Sequence, residues 1–190
     1  MGTRGLTKVI KNGEIVVAQY GQWDHYASGQ GATAFFAVQR PDVIERLSEK
    51  VTTLCYYPSQ EEREAMWKPF TGQASQDGWV TFDEGKSFGE KYPSMTRDTG
   101  AEILYVIADA EDRVPLFLDI EFEKDDLFCE GVLTVNLDDQ TFTSQFYGND
   151  PVTLTFDEVR EMGIADYLAK FMDEEDAKEY AESIMRHQAA

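Results

Sequence analysis

Two β-prone runs, Leu6 to Ile10 and Ile15 to Tyr20, are separated only by Lys11, Asn12, Gly13 and Glu14. Asn-Gly favours a tight turn whose twist matches that of two antiparallel strands. The chain therefore opens on a hairpin. The segment GQWDHYASGQGAT that follows is dense in glycine, aromatic and polar residues and reads as a loop feeding a helix, because Ala32 to Val38 is an apolar run suited to burial.

Helix signals come next. Pro41 suits a first turn, and Val43, Ile44, Leu47 and Val51 follow at amphipathic spacing. Ser59 with Glu62 forms a capping-box pattern ahead of Met66 and Trp67. Between residues 71 and 100, Gly72, Gly78, Gly85, Gly89, Pro93 and Gly100 break the periodicity, which predicts loops and short elements.

From residue 101 the pattern predicts strands at Ile103–Ala108, Val114–Phe122, Glu130–Leu137 and Thr141–Tyr147, the last two joined by Asp138, Asp139 and Gln140. In the second of these, Phe117, Asp119, Glu121 and Glu123 alternate with Leu116, Leu118, Ile120 and Phe122, as expected of a strand with one buried and one acidic face. Thr155 and Glu158 open a helix running through Phe171, and Asp173, Glu174, Glu175 and Asp176 open a final one, where carboxylates suit the helix dipole. The expected fold is a single α+β domain over residues 1–190. It has an antiparallel sheet with helices packed on one side and a C-terminal two-helix segment.

With 42% hydrophobic and 13% aromatic residues, a 190-residue chain of this kind can bury a core without disulfides. Cys55 and Cys129 are its only cysteines and sit in apolar surroundings, the pattern of buried thiols in a reducing compartment. No apolar stretch has the length of a signal peptide or a membrane span, and Leu6 stands where N-myristoylation prefers Ser or Thr. The expected location is the cytoplasm.

Charge is distributed unevenly. The net charge is −19; residues 1–97 hold 12 acidic and 11 basic side chains, residues 98–190 hold 24 and 6. Such a field in the second half repels nucleic acid and anionic lipid and attracts basic protein surfaces.

Two functional readings follow. One places chemistry in the N-terminal loop, where Asp24 or His25 would serve as a base, Arg4 as an anion partner and Tyr26 as a donor in a small hydrolase or transferase. It requires the four to converge on one open pocket, and the bland alternative is a packed corner. Ser28 to Thr33 has no Lys-Ser/Thr after it and does not match a phosphate loop. Two distant histidines, His25 and His187, and no paired cysteines give no metal-site pattern, so neither a metal nor another cofactor is expected. Removal of Met1 would expose Gly2, which lacks a nucleophile.

The other reading uses the acidic half. Asp119, Glu121, Glu123, Asp125, Asp126, Glu130, Asp138 and Asp139, with Asp173, Glu174, Glu175 and Asp176, are candidates to present negative charge to the basic groove of a nucleic-acid-binding protein, in place of a phosphate backbone. The bland alternative is a solvated acidic face.

The opening MGTRGLTKVIKNGEIVVAQYGQWDHYASGQG resembles a group of small, mostly uncharacterised proteins of bacteriophages, prophages and gut-metagenome contigs that share a Thr-Arg-Gly start and a Tyr/Asp/Ser-Gly loop. The resemblance spans about the first 35 residues. It implies a phage setting in a host cytoplasm and transfers no catalytic residue. Anti-CRISPR proteins are similar in size, acidity and lack of enzyme motifs, and this similarity implies inhibition of a CRISPR effector nuclease, one of type II being a candidate, whose nucleic-acid channels are positively charged.

Overall fold

The computed structural model describes residues 2–71 and 80–188. Its α+β fold is built on a five-stranded sheet with helices, and the chain ends in a C-terminal helical segment. Strands β1 (Gly5–Lys11) and β2 (Glu14–Gly21) form the expected hairpin. Asn12 and Gly13 both have positive φ, 56° and 74°, as the turn demands. The Asp138 carboxylate accepts from both of their amides, at 2.9 and 2.8 Å.

Strands β5 (Gly131–Asn136), β6 (Thr141–Phe146) and β7 (Val152–Thr155) complete the sheet in the order β2-β1-β5-β6-β7. Three pairings are antiparallel, but β1 and β5 run parallel, so the sheet is mixed. Short turns force antiparallel neighbours; the long excursion from β2 to β5 is a crossover that permits a parallel pair. The sheet draws β1 and β2 from the near-neutral half and β5 to β7 from the acidic half, so the charge shift near residue 98 is not a boundary of the fold.

The crossover carries helices. In α1 (Ala32–Gln39), Ala32, Ala34, Phe35, Ala37 and Val38 are buried, as expected of a central helix. Helix α2 (Pro41–Thr53) begins at Pro41 and buries Val43, Ile44, Leu47 and Val51. Then come β3 (Cys55–Tyr56) and α3 (Gln60–Thr71), the latter opened by the Ser59–Glu62 capping box.

Three expectations for this stretch are corrected. Ile103–Ala108 is helix α5 (Ile103–Asp109), with Ile103, Leu104, Ile107 and Ala108 buried. A short apolar run has no periodicity to separate strand from helix, and packing on α2 decides it here. Arg46 and Lys50 of α2 donate to the Ala108 carbonyl at the α5 C-terminus, at 3.2 and 2.8 Å. Residues 81–91 hold helix α4 (Phe82–Lys91), opened by a Thr81–Glu84 capping box, where glycines had masked the periodicity; Gly72 and Gly78 lie outside the described residues.

Val114–Phe122 is not a strand. Only β4 (Val114–Pro115) pairs, parallel to β3, and Ile120–Lys124 forms a 3-10 turn. Pro115 cannot donate to a ladder, and the Asp119 amide instead bonds the Ala18 carbonyl at 3.0 Å. The anticipated alternation survives in part as exposure: Phe117, Glu121 and Glu123 are exposed, while Leu118, Ile120 and Phe122 are partly buried.

The C-terminal helices also differ in detail. Thr155 caps α6 (Phe156–Glu161), the helix breaks at Met162 and Gly163, and α7 (Ile164–Leu168) follows before α8 (Glu174–Gln188). The main core joins Val9, Val17, Leu133, Val135, Phe142 and Leu154, all on one sheet face, to the buried sides of the helices. On the other face the 3-10 turn covers β1 and β2: Phe122 meets Tyr20 edge-on at 4.8 Å, and Glu123 binds Lys8 at 2.8 Å.

Candidate functional site

The N-terminal loop spends its side chains on packing. Gly21, Gly5 and Gly131 are neighbours across β2, β1 and β5, and the His25 imidazole occupies the space that side chains at Gly5 and Gly21 would need. The ring is fully buried, and neither Nδ1 nor Nε2 has a hydrogen-bond partner. Burial pushes its pKa down to about 4, so it is neutral at pH 7.

Asp24 adopts a left-handed conformation, φ 61°, and its carbonyl accepts from the amides of Tyr26 and Gln30, each at 2.8 Å. The amides of Gly29 and Gly31 bond the Tyr26 carbonyl at 3.1 Å. These four N–H groups are therefore not available to cradle an anion. Gln30 Oε1 accepts from the Ala101 amide at 2.6 Å, and Trp23 Nε1 donates to Asp98 at 2.9 Å, tying the loop to the segment before α5.

Arg4, Asp24, His25 and Tyr26 do not meet in one pocket. Tyr26 donates to Asp24 at 3.1 Å, but His25 points into the sheet, where no substrate reaches it. Arg4 lies over the Phe128 ring at 4.1 Å, beyond the glycine row. Asp24 and Ser28 do border a cleft of about 640 Å³ with Arg40, Glu102 and Tyr105. Its lining carboxylates and the pairing of Arg40 with Asp42 at 2.9 Å leave it poorly suited to an anionic substrate.

The acidic candidates separate into three groups. Glu121, Glu123, Asp125, Asp126 and Glu130 gather in the turn that crosses the second sheet face and leads into β5. The Asp125 carboxylate holds the turn by accepting from the amides of Leu127 and Phe128, at 3.2 and 3.0 Å. Glu130 Oε2 accepts from the Arg4 amide at 3.0 Å. The ion pairs here are Lys8–Glu123 and Lys124–Glu121, both at 2.8 Å, which leaves Asp125, Asp126 and Glu130 without a cation among the described residues. Asp119 is partly buried, and loss of solvent raises its pKa.

Asp138 and Asp139 stand at the other end of β5, roughly 17 Å away by strand rise, so they do not extend this group. Both are engaged locally, Asp138 on the hairpin turn and Asp139 on Asn136 Nδ2 at 2.9 Å. Asp173 caps α8 by accepting from the amides of Glu175 and Asp176, at 3.1 and 3.0 Å. Glu174, Glu175 and Asp176 are exposed, and the Asp173 charge raises the Asp176 pKa. Phe171 sits edge-on against Phe146, 5.0 Å between ring centres, so the start of α8 approaches the same sheet end as the 121–130 turn.

Sequence reasoning missed the apolar partners of that turn. Leu127 is 76% and Tyr147 81% exposed. Tyr147 sits beside Glu130, whose carbonyl accepts its amide at 2.8 Å. The alternation in β6 signals that every second residue faces outward, but only the pairing with β5 brings Tyr147 to the carboxylates.

No described helix is long and apolar enough to cross a membrane. No protein-family model matches the chain, and no curated protein or solved structure matches it.

Proposed function

We propose that the protein is an acidic inhibitor that docks on a basic groove of a nucleic-acid-handling protein, with the face formed by residues 121–130 and Tyr147 as its contact surface. The observation that carries this reading is the gathering of Glu121, Glu123, Asp125, Asp126 and Glu130 beside the exposed side chains of Leu127 and Tyr147. Carboxylates alone describe a solvated surface. Large apolar side chains held in water among them describe one that gains by being covered.

Charge steers such a surface to a basic partner and sets its orientation, while the apolar residues supply the burial that slows dissociation. The phage-protein resemblance of the first 35 residues favours a host-defence target, and a CRISPR effector nuclease offers channels lined with positive charge.

The test is capture of a guide-loaded type II nuclease by the tagged protein at low and at high salt, followed by DNA cleavage. Capture that weakens with salt, together with lost cleavage, is expected. Full cleavage without capture removes this target; salt-independent capture removes the electrostatic mechanism.

A further inference from the structure

One carboxylate holds both amides of the hairpin tip: Asp138 Oδ1 accepts from the Asn12 N–H at 2.9 Å, and Oδ2 accepts from the Gly13 N–H at 2.8 Å. We propose that Asn12 is a deamidation site that this fork holds closed in the folded protein. The proposal is independent of any partner.

The chemistry needs only water. The Gly13 amide nitrogen loses its proton to base and attacks the Asn12 side-chain carbonyl carbon. A bond forms between the two, the bond from that carbon to Nδ2 breaks, and ammonia leaves with a proton from solvent. Water then opens the five-membered imide at either carbonyl, giving aspartate, or isoaspartate with one extra methylene in the backbone. The net change is asparagine plus water to a carboxylic acid plus ammonia, with nothing oxidised.

The surroundings single out Asn12 from the other asparagines, Asn136 and Asn149. Asn12 is exposed, and at Gly13 an added side chain would meet nothing within 4 Å, so only the fork stands in the way of ring closure. Asn136 is pinned at both ends of its carboxamide: Nδ2 donates to Asp139 at 2.9 Å, and Oδ1 accepts from the amides of Asp138 and Asp139 at 3.0 and 3.1 Å. The amide that would attack it, that of Leu137, donates to the Ile10 carbonyl at 3.0 Å. Asn149 is followed by Asp150, whose side chain and charge oppose the attacking nitrogen.

The fork acts on the first step. A proton shared with a carboxylate must be removed beside a negative charge, and the bond keeps the nitrogen directed at Asp138. The Gly13 and Asn12 amides, helped by the Lys11 charge, hold the Asp138 pKa below the usual carboxylate range, so the fork is charged wherever base can attack the amide. Once made, the product cannot restore it. Aspartate at position 12 sets a second carboxylate beside Asp138, and isoaspartate lengthens a two-residue turn whose φ angles, 56° and 74°, match the twist of β1 and β2. Modification therefore frees the hairpin tip from the turn between β5 and β6.

The experiment is incubation of the full chain in mildly alkaline buffer, with mass-spectrometric peptide mapping of amide-to-acid conversion at each asparagine and chromatographic separation of aspartate from isoaspartate. Folded wild type is compared with Asp138→Ser, kept below its measured unfolding midpoint, and with wild type unfolded in urea. Folded wild type should convert Asn12 about tenfold more slowly than Asp138→Ser, and the unfolded chain should convert Asn12 before Asn136 and Asn149. Hydrogen exchange at the Gly13 amide of wild type gives a second reading that needs no variant, because base-catalysed exchange removes the same proton. It should be about tenfold or more slower than in the unfolded chain. Equal Asn12 conversion in wild type and folded Asp138→Ser, Gly13 exchange as fast as in the unfolded chain, or earlier conversion at Asn136 or Asn149 would each overturn the proposal.

Discussion

The His25 imidazole lies against Gly21, filling the volume that a side chain on the last residue of β2 would take. The contact locks the loop after the hairpin onto the sheet, since Gly5 on β1 is covered by the same ring and the His25 amide bonds the Thr3 carbonyl at 3.0 Å.

Gly21→Ala tests that lock. The added methyl group overlaps the ring and crowds the Gly100 Cα at 3.0 Å, where backbone gives way poorly. A loss of about 3 kcal/mol in stability is expected, read by chemical denaturation. A loss within experimental scatter of zero would mean that the ring can leave the glycine row freely.

His25 also makes stability depend on pH. Its pKa is about 4 in the folded protein, below the unfolded value of 6.5, because burial disfavours the cation. The unfolded chain then binds the proton first. Stability is unaffected above pH 6.5 and falls as pH drops from there to about 4, by about 3 kcal/mol in total. Stability of wild type relative to His25→Asn, followed over that window, should show this slope. Parallel curves for the two proteins would refute it.

Tyr167 and Ser144 share a buried hydrogen bond of 2.9 Å between α7 and β6. Tyr167→Phe leaves the Ser144 hydroxyl without its partner and should cost about 1–2 kcal/mol. Adding Ser144→Ala removes the orphan, so the double variant should be more stable than the sum of the two single losses implies. Strict additivity in the cycle would show that the two hydroxyls do not interact.

Charge reversal on the acidic face should separate binding from folding. Glu121 and Asp126 are exposed, and neither holds an element of the core, so Glu121→Lys with Asp126→Lys should weaken capture of a basic partner at least tenfold at low salt with an unchanged unfolding midpoint. Glu123→Lys should instead lower the midpoint, since it sets a second cation against Lys8, whose side chain is only 12% exposed. The check is to measure binding and thermal unfolding on the same samples. Unchanged capture by the double variant would move the contact surface elsewhere.

Much of the local structure was written in short stretches of sequence. Asn12-Gly13 fixes the hairpin because only a few residues tolerate its dihedral angles. Ser59–Glu62 and Thr155–Glu158 mark helix starts because each pair satisfies amides at its own end. The Thr81–Glu84 pair carried the same signal for α4, hidden among glycines that face open space or tolerant neighbours. The acidity of residues 119–130 and 173–176 is likewise a property of composition that no fold could remove.

Tertiary structure decided what those stretches became together. Ile103–Asp109 is a helix because α2 offers it an apolar face and two cations for its Ala108 carbonyl. Residues 116–124 abandon the strand that their alternation suggests because β2 already supplies the acceptor for the Asp119 amide. Asp, His and Tyr in one loop look alike in sequence whether they catalyse or pack, and it was the alignment of Gly21, Gly5 and Gly131 across three strands that took His25 inside. The pairing of β5 with β6 set Tyr147 beside Glu130 and sent Asp138 to the far end of the sheet, since strand register, which joins residues distant in the chain, determines which charges share a surface.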